Sequence, residues 1–177
     1  MRRSPIFLAA ATLLGACGRA RVAPPLPAPL PATAELRDVH GLVVGSVRAE
    51  PDALGVRLVI SVWGQLQGPH GVHLHAIGLC TPPDFASAGP HLNPFATTHG
   101  LAADAGPHAG DLPNLVVGPD GTGSAAFVNP RVTLGPGPSS LFDADGTAFV
   151  IHAGPDDQRS NPAGSSGPRI ACGVFRR

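Results

Sequence analysis

The chain has 177 residues, with 12 Lys or Arg balanced by 12 Asp or Glu. That balance gives no argument for a nucleic-acid partner or for attraction to an acidic surface. Every strong cation is Arg, because the sequence holds no Lys, and its 23 Gly and 21 Pro disfavour long helices and suit short strands joined by ordered loops.

From the N-terminus, Met1-Arg2-Arg3 is a short basic stretch, and Ile6 to Ala16 is an apolar run too short to span a bilayer as a mature helix. It ends in Leu14-Gly15-Ala16-Cys17, which resembles the lipobox of bacterial lipoproteins. The resemblance implies a signal peptide over residues 1–16, a diacylglycerol on the Cys17 thiol and attachment to a membrane. Gly18 in place of Asp favours the outer membrane. An ordinary secretory signal with a chance Cys is the alternative, and both readings put the folded part outside the cytoplasm, on the periplasmic side. Residues 17–34 are then the lipidated Cys and a Pro- and Ala-rich spacer without the periodicity to bury a face, which leaves a single domain over residues 35–177.

Within that domain Val39 to Val47 alternates, interrupted by Gly41 and Gly45. Val56, Leu58, Ile60 and Val62 alternate with Arg57, Val59, Ser61 and Trp63, the period-two pattern of a half-buried strand. Val72 and Leu74 alternate with His73 and His75. Leu115 to Val117, the turn Gly118-Pro119-Asp120-Gly121, and Ser124 to Val128 read as strand, turn, strand. Thr147 to His152 and Arg169 to Phe175 complete the set. The pattern predicts an all-β fold: a Greek-key antiparallel sandwich or flattened barrel of immunoglobulin-like kind. Two long ordered loops interrupt it, Gly78 to Pro113 and Ala153 to Pro168. With Cys17 assigned to the lipid, Cys80 and Cys172 remain as a pair. In an oxidising compartment they favour a disulfide, and two unpaired buried thiols are the alternative. Such a bond would close a loop of about ninety residues, worth on the order of 4–5 kcal/mol by chain entropy.

Six of the eight histidines fall into a metal-ligand pattern with one Asp. His73 and His75, at i and i+2 on a strand, project from one face, and paired imidazoles suit copper or zinc. Alone, that spacing is a weak signal. His91, His99, His108 and Asp111 share the first long loop, and three imidazoles with a carboxylate make a closed set of zinc type. Solvated loop histidines are the plainer reading of the same residues. His152, at the end of an apolar strand, would by itself be read as a satisfied core histidine.

Four segments make the pattern specific: Gly71-Val-His-Leu-His75, Gly89-Pro-His-Leu-Asn-Pro94, His108-Ala-Gly-Asp-Leu112 and Arg169-Ile-Ala-Cys-Gly-Val174. In this order they resemble the signatures of the bacterial copper–zinc superoxide dismutases, over about residues 36–177. The resemblance implies one copper held by His73, His75, His91 and His152, and one zinc held by His91, His99, His108 and Asp111, with His91 bridging the two. It also implies that Asp156 orients one histidine of each site, that Arg169 docks superoxide at the copper mouth, that Cys80 pairs with Cys172, and that His70 is structural. His40 has no matching role. The implied reaction converts superoxide to dioxygen and hydrogen peroxide; a lipoprotein that merely buffers copper or zinc is the competing reading. The sequence leaves a homodimer open. It departs from the family pattern at Val72, at Ala76 (usually Glu), in its short second loop and in its lack of lysines. Only Arg159 and Arg169 remain to steer an anion, so weaker steering is expected.

Overall fold

The computed structural model describes residues 29–177, so Cys17, the signal peptide and most of the spacer lie outside the described residues. Nine strands pair antiparallel: β1 (Ala32–Asp38), β2 (Val43–Asp52), β3 (Gly55–Val62), β4 (Gly68–His70), β5 (Val72–His75), β6 (Leu115–Val117), β7 (Gly123–Asn129), β8 (Ala148–His152) and β9 (Arg169–Val174). Their order across the sheet is β4-β6-β7-β3-β2-β1-β9-β8-β5. The first and last strands of that series, β4 and β5, are joined through Gly71 alone, so the chain itself links the two edges of a nearly closed barrel. The helical content among the described residues is a single 3-10 turn, Ala86–Ala88.

Alternation in β3 is realised as expected: Val56, Leu58, Ile60 and Val62 are buried, and Arg57, Val59 and Ser61 face outward. These side chains meet Leu36, Val47, Leu74, Leu115, Val117, Phe149 and Ile151 in one core. β5 and β8 are buried on both faces. Val72 and Leu74 enter the core, while His73 and His75 point the other way and are covered by the long loops.

Two sequence expectations change. Val39–Val47 is not a continuous strand, because the Asp38 carboxylate accepts the amides of His40 and Leu42 and Gly41 adopts φ 83°, so the chain turns and β2 starts at Val43. The fold also begins before residue 35: β1 starts at Ala32, with Ala32, Ala34 and Leu36 buried in alternation. Small alanines next to prolines hide that period. A third long connection, residues 130–147, joins β7 to β8 and was not singled out by the sequence pattern.

Candidate metal centre

All six patterned histidines and Asp111 are buried and converge outside the barrel wall. β5 supplies His73 and His75, the end of β8 supplies His152, and the 76–114 connection supplies His91, His99, His108 and Asp111. Isolated bridges pin that connection to β5, pairing His75 with His91 and His73 with Asp111. Gly110 is required at the crossing, since a Cβ there would collide with the Leu74 carbonyl.

The ligand atoms of His73, His75, His91 and His152 lie within 4.8 Å of one another. Each ring has one nitrogen engaged. His73 Nε2 donates to Asp156 Oδ2 at 2.8 Å, His75 Nδ1 to the Gly89 carbonyl at 2.8 Å, and His152 Nδ1 to the Gly167 carbonyl at 2.9 Å. His91 Nδ1 lies 2.9 Å from Asp111 Oδ1. The opposite nitrogens, His73 Nδ1, His75 Nε2, His91 Nε2 and His152 Nε2, are buried without a hydrogen-bond partner. An unpartnered buried polar atom is costly, and four converging on one point form a ready site for a cation that accepts nitrogen lone pairs. Burial pushes His73 down to about 3 and His152 down to about 4, and drives His75 well below its ordinary range, so these rings are neutral and their lone pairs free.

The second set is built around Asp111. Its Oδ2 accepts the amides of Gly100 at 2.8 Å and His108 at 2.9 Å, which aims Oδ1 at three ring nitrogens. His91 Nδ1, His99 Nδ1 and His108 Nδ1 lie 2.9, 3.1 and 3.3 Å from that oxygen, and His108 Nδ1 is 3.4 Å from His91 Nδ1. Neighbouring ligands of a tetrahedral zinc with bonds of about 2.0–2.1 Å stand about 3.3 Å apart, so the set fits zinc. His73 lies within 4.8 Å of His91, His99 and Asp111, a grouping that leaves out His108, and its ring centroid is 3.9 Å from that of His91, but its Nε2 is committed to Asp156 rather than to Asp111. His91 offers one nitrogen to each set, Nε2 to the first and Nδ1 to the second.

Asp156 ties the sets together, accepting His73 Nε2 on Oδ2 and His99 Nε2 on Oδ1 at 3.0 Å. Asn114 holds it by a reciprocal pair, receiving its amide and donating to its carbonyl. Gly164, at φ 61°, leaves room for that carboxylate, which a Cβ there would strike. Burial opposes charging of His99, but hydrogen bonds to Asp111 and Asp156 outweigh it and push the ring up to about 9. Both carboxyls are held well below their usual range despite burial, chiefly by these imidazoles.

These shifts give the metal-free chain a defined acid response. His73, His75 and His152 have folded values below 6.5, so their contribution is present above that pH and is lost as pH falls. Asp111 and Asp156 add a loss below 3.8, whereas His99 contributes below 6.5 and weakens as pH rises through about 9. The urea midpoint of the metal-free chain is therefore expected to fall on acidification from pH 6.5 to pH 4. An unchanged midpoint over that interval would show that the rings are not held neutral in the fold.

Arg169, at the start of β9, is held by two carbonyls: Nη1 donates to Phe85 at 2.6 Å and Nη2 to Gly89 at 2.7 Å. Gly89 O also accepts from His75, so cation and ring share one anchor. The Cys80–Cys172 disulfide, with Cα atoms 5.7 Å apart, ties the segment carrying those carbonyls to β9. A pocket of about 680 Å³ opens onto His75, His91, His108, His152 and Arg169, with Asp143 and Asp145 on its rim. Sequence reasoning overlooked these two aspartates, together with Asn114, Asn129 and Arg131; all but Asn114 belong to the third connection or its immediate flank. His70 sits between the carbonyls of Leu66 and His152, apart from both sets, and His40 is exposed.

A nearly closed β-barrel carrying two adjoining buried donor sets on its outer wall is a metal-binding protein of the two-metal, imidazole-rich kind. The family description copper/zinc superoxide dismutase matches residues 43–175, and the chain belongs to that family. It is 44% identical over 149 residues to superoxide dismutase [Cu-Zn] 2 of Aquifex aeolicus, covering 83% of this chain and 87% of that one. Among solved structures it is similar to a SOD-like protein from Bacillus subtilis, with TM-score 0.78, 39% identity and coverage of 80% and 96%. The Cu/Zn superoxide dismutase of Brucella abortus aligns with TM-score 0.69 and 26% identity, covering 83% of this chain and all of that one. The family is one of oxidoreductases whose cofactors are copper and zinc.

Proposed function

We propose that the chain catalyses the dismutation of superoxide to dioxygen and hydrogen peroxide outside the cytoplasm, anchored by a lipid on Cys17. The observation that carries the catalytic reading is that His75, His91 and His152, three of the four rings with an unpartnered nitrogen, line one pocket with the Arg169 guanidinium, while the fourth, His73, is fully buried. A metal store needs the nitrogens but not a fixed cation beside them. His73, His75, His91 and His152 would hold copper; His91, His99, His108 and Asp111 would hold zinc. Bound copper supplies one-electron exchange with superoxide, which no side chain here supplies, and zinc supplies a fixed charge without redox chemistry.

The protein's own residues do the rest. Arg169, with two donors spent on carbonyls, keeps others for a small anion. His91 Nε2 faces the copper set and is the atom placed to take up a proton and pass it to the departing peroxide. Its Nδ1, fixed on the Asp111 side, keeps the ring oriented meanwhile. Asp156 and the carbonyls of Gly89 and Gly167 hold the other three rings in the tautomer that leaves the inward nitrogen bare. The extracytoplasmic reading is supported by the N-terminal pattern and by a disulfide of the kind that persists in oxidising compartments.

Turnover distinguishes catalysis from buffering. The loaded chain is expected to consume many superoxide ions per copper and to yield dioxygen and peroxide in equal amounts. Consumption that stops at about one equivalent per copper would identify a metal store. Asp143 and Asp145 oppose an approaching anion, so replacing both with Asn is expected to raise the rate at low salt. That gain should shrink near 0.15 M salt, where screening acts over about 8 Å. An equal rate at low salt would remove the rim carboxylates from the account.

A further inference from the structure

The 130–147 connection and the end of β7 place no residue in either donor set, yet they reach the turn that carries His108 and Asp111. Arg131 Nε donates to the His108 carbonyl at 3.2 Å and Nη2 to the Asp111 carbonyl at 2.8 Å. Asn129, buried at the end of β7, accepts the Arg131 amide at 3.0 Å and donates from Nδ2 to the Ala109 carbonyl at 2.8 Å. The remaining carbonyl of the turn, Gly110, accepts the Leu74 amide at 2.9 Å. Every main-chain acceptor from His108 to Asp111 is therefore satisfied, three of the four by Asn129 and Arg131.

We infer that Arg131, seated by Asn129, is a positioning residue for the zinc set, fixing the turn from which His108 and Asp111 reach their common centre. The inference rests on the reading that His91, His99, His108 and Asp111 hold zinc. Arg131 makes no hydrogen bond to a carboxylate; its described side-chain bonds go to these two carbonyls alone. A planar guanidinium presents parallel donors at a set spacing, so it fixes two peptide planes relative to each other, which a Lys ammonium does not. The plane at Asp111 in turn sets where its carboxylate can point, and Oδ2 is already bound to Gly100 and His108 amides. Loss of Arg131 leaves the Asp111 carbonyl unpaired and the His108 carbonyl with only the Asp111 amide at 3.3 Å, and lets Asp111 Oδ1 shift off the three ring nitrogens.

The test uses the full chain and Arg131→Met and Arg131→Lys. Zinc affinity is measured by competition with a chromophoric chelator, and the visible spectrum is recorded with cobalt(II) replacing zinc. Partners that orient metal ligands typically contribute about 10–100-fold in affinity, and Arg131→Met is expected to weaken zinc by that factor and to alter the cobalt bands. Arg131→Lys should recover only part of the loss. If Arg131→Met does not fold, Arg131→Lys carries the test, and weakened zinc with a shifted spectrum supports the inference. Wild-type zinc affinity and an unchanged cobalt spectrum in the variant that folds would overturn it, even if the metal-free protein melts lower. A wild-type chain that takes up no zinc would overturn the zinc reading and this inference together.

Discussion

Replacing Arg169 with Ala is expected to slow superoxide removal by about 10- to 100-fold, the worth of a hydrogen bond to a charged group of about 1.5–3 kcal/mol, and to leave copper and zinc content nearly unchanged. The guanidinium makes no described hydrogen bond to a ring nitrogen. It is anchored on the carbonyls of Phe85 and Gly89, and Gly89 O keeps its bond from His75 Nδ1 when Arg169 is gone. Arg169→Lys should fall between the two, because it keeps the charge and loses the paired donors. Rates per bound copper, measured by rapid mixing with superoxide, decide the matter. Equal rates for wild type and Arg169→Ala would remove Arg169 from the docking role.

The second large effect separates the two metals. His152 belongs to the first donor set only, and His108 adjoins Asp111 only in the second, whereas His91 contributes a nitrogen to each. His152→Ala is expected to lose copper and activity while retaining zinc, because its Nε2 is one of the four unpartnered nitrogens. His108→Ala should lose zinc first, and His91→Ala should weaken both. Metal analysis after dialysis against a mild chelator checks all three variants. Copper occupancy unchanged in His152→Ala, or zinc lost equally from His152→Ala and His108→Ala, would contradict the division into two sets.

Much of this arrangement was legible in the residues. The period-two run from Val56 to Val62 gave a strand and its buried face directly, because alternation of apolar and polar side chains has one structural solution there. The histidine spacings gave the ligand candidates, since His73 and His75 must leave a strand on the same side. The start of the fold was less visible: Ala32 and Ala34 bury little surface, and their neighbours are the prolines of the spacer. The Val39–Val47 pattern misled, because Asp38 and Gly41 make a turn within an apolar stretch. The supports of the site were least legible of all. Asn114, Asn129 and Arg131 act on main-chain carbonyls and amides, or through a neighbour's backbone, and no spacing rule announces such a contact. The rim aspartates lie far in sequence from every histidine except His152, and only the path of the third connection brings them to the pocket.

Copper held by the four-histidine set is proposed to turn over superoxide beside Arg169. The most direct test adds copper in steps to the zinc-loaded full chain and reads bound copper and superoxide decay on the same samples. Decay is expected to rise in proportion to copper and to level at one copper per chain. One copper bound per chain with decay no faster than in buffer would contradict this turnover.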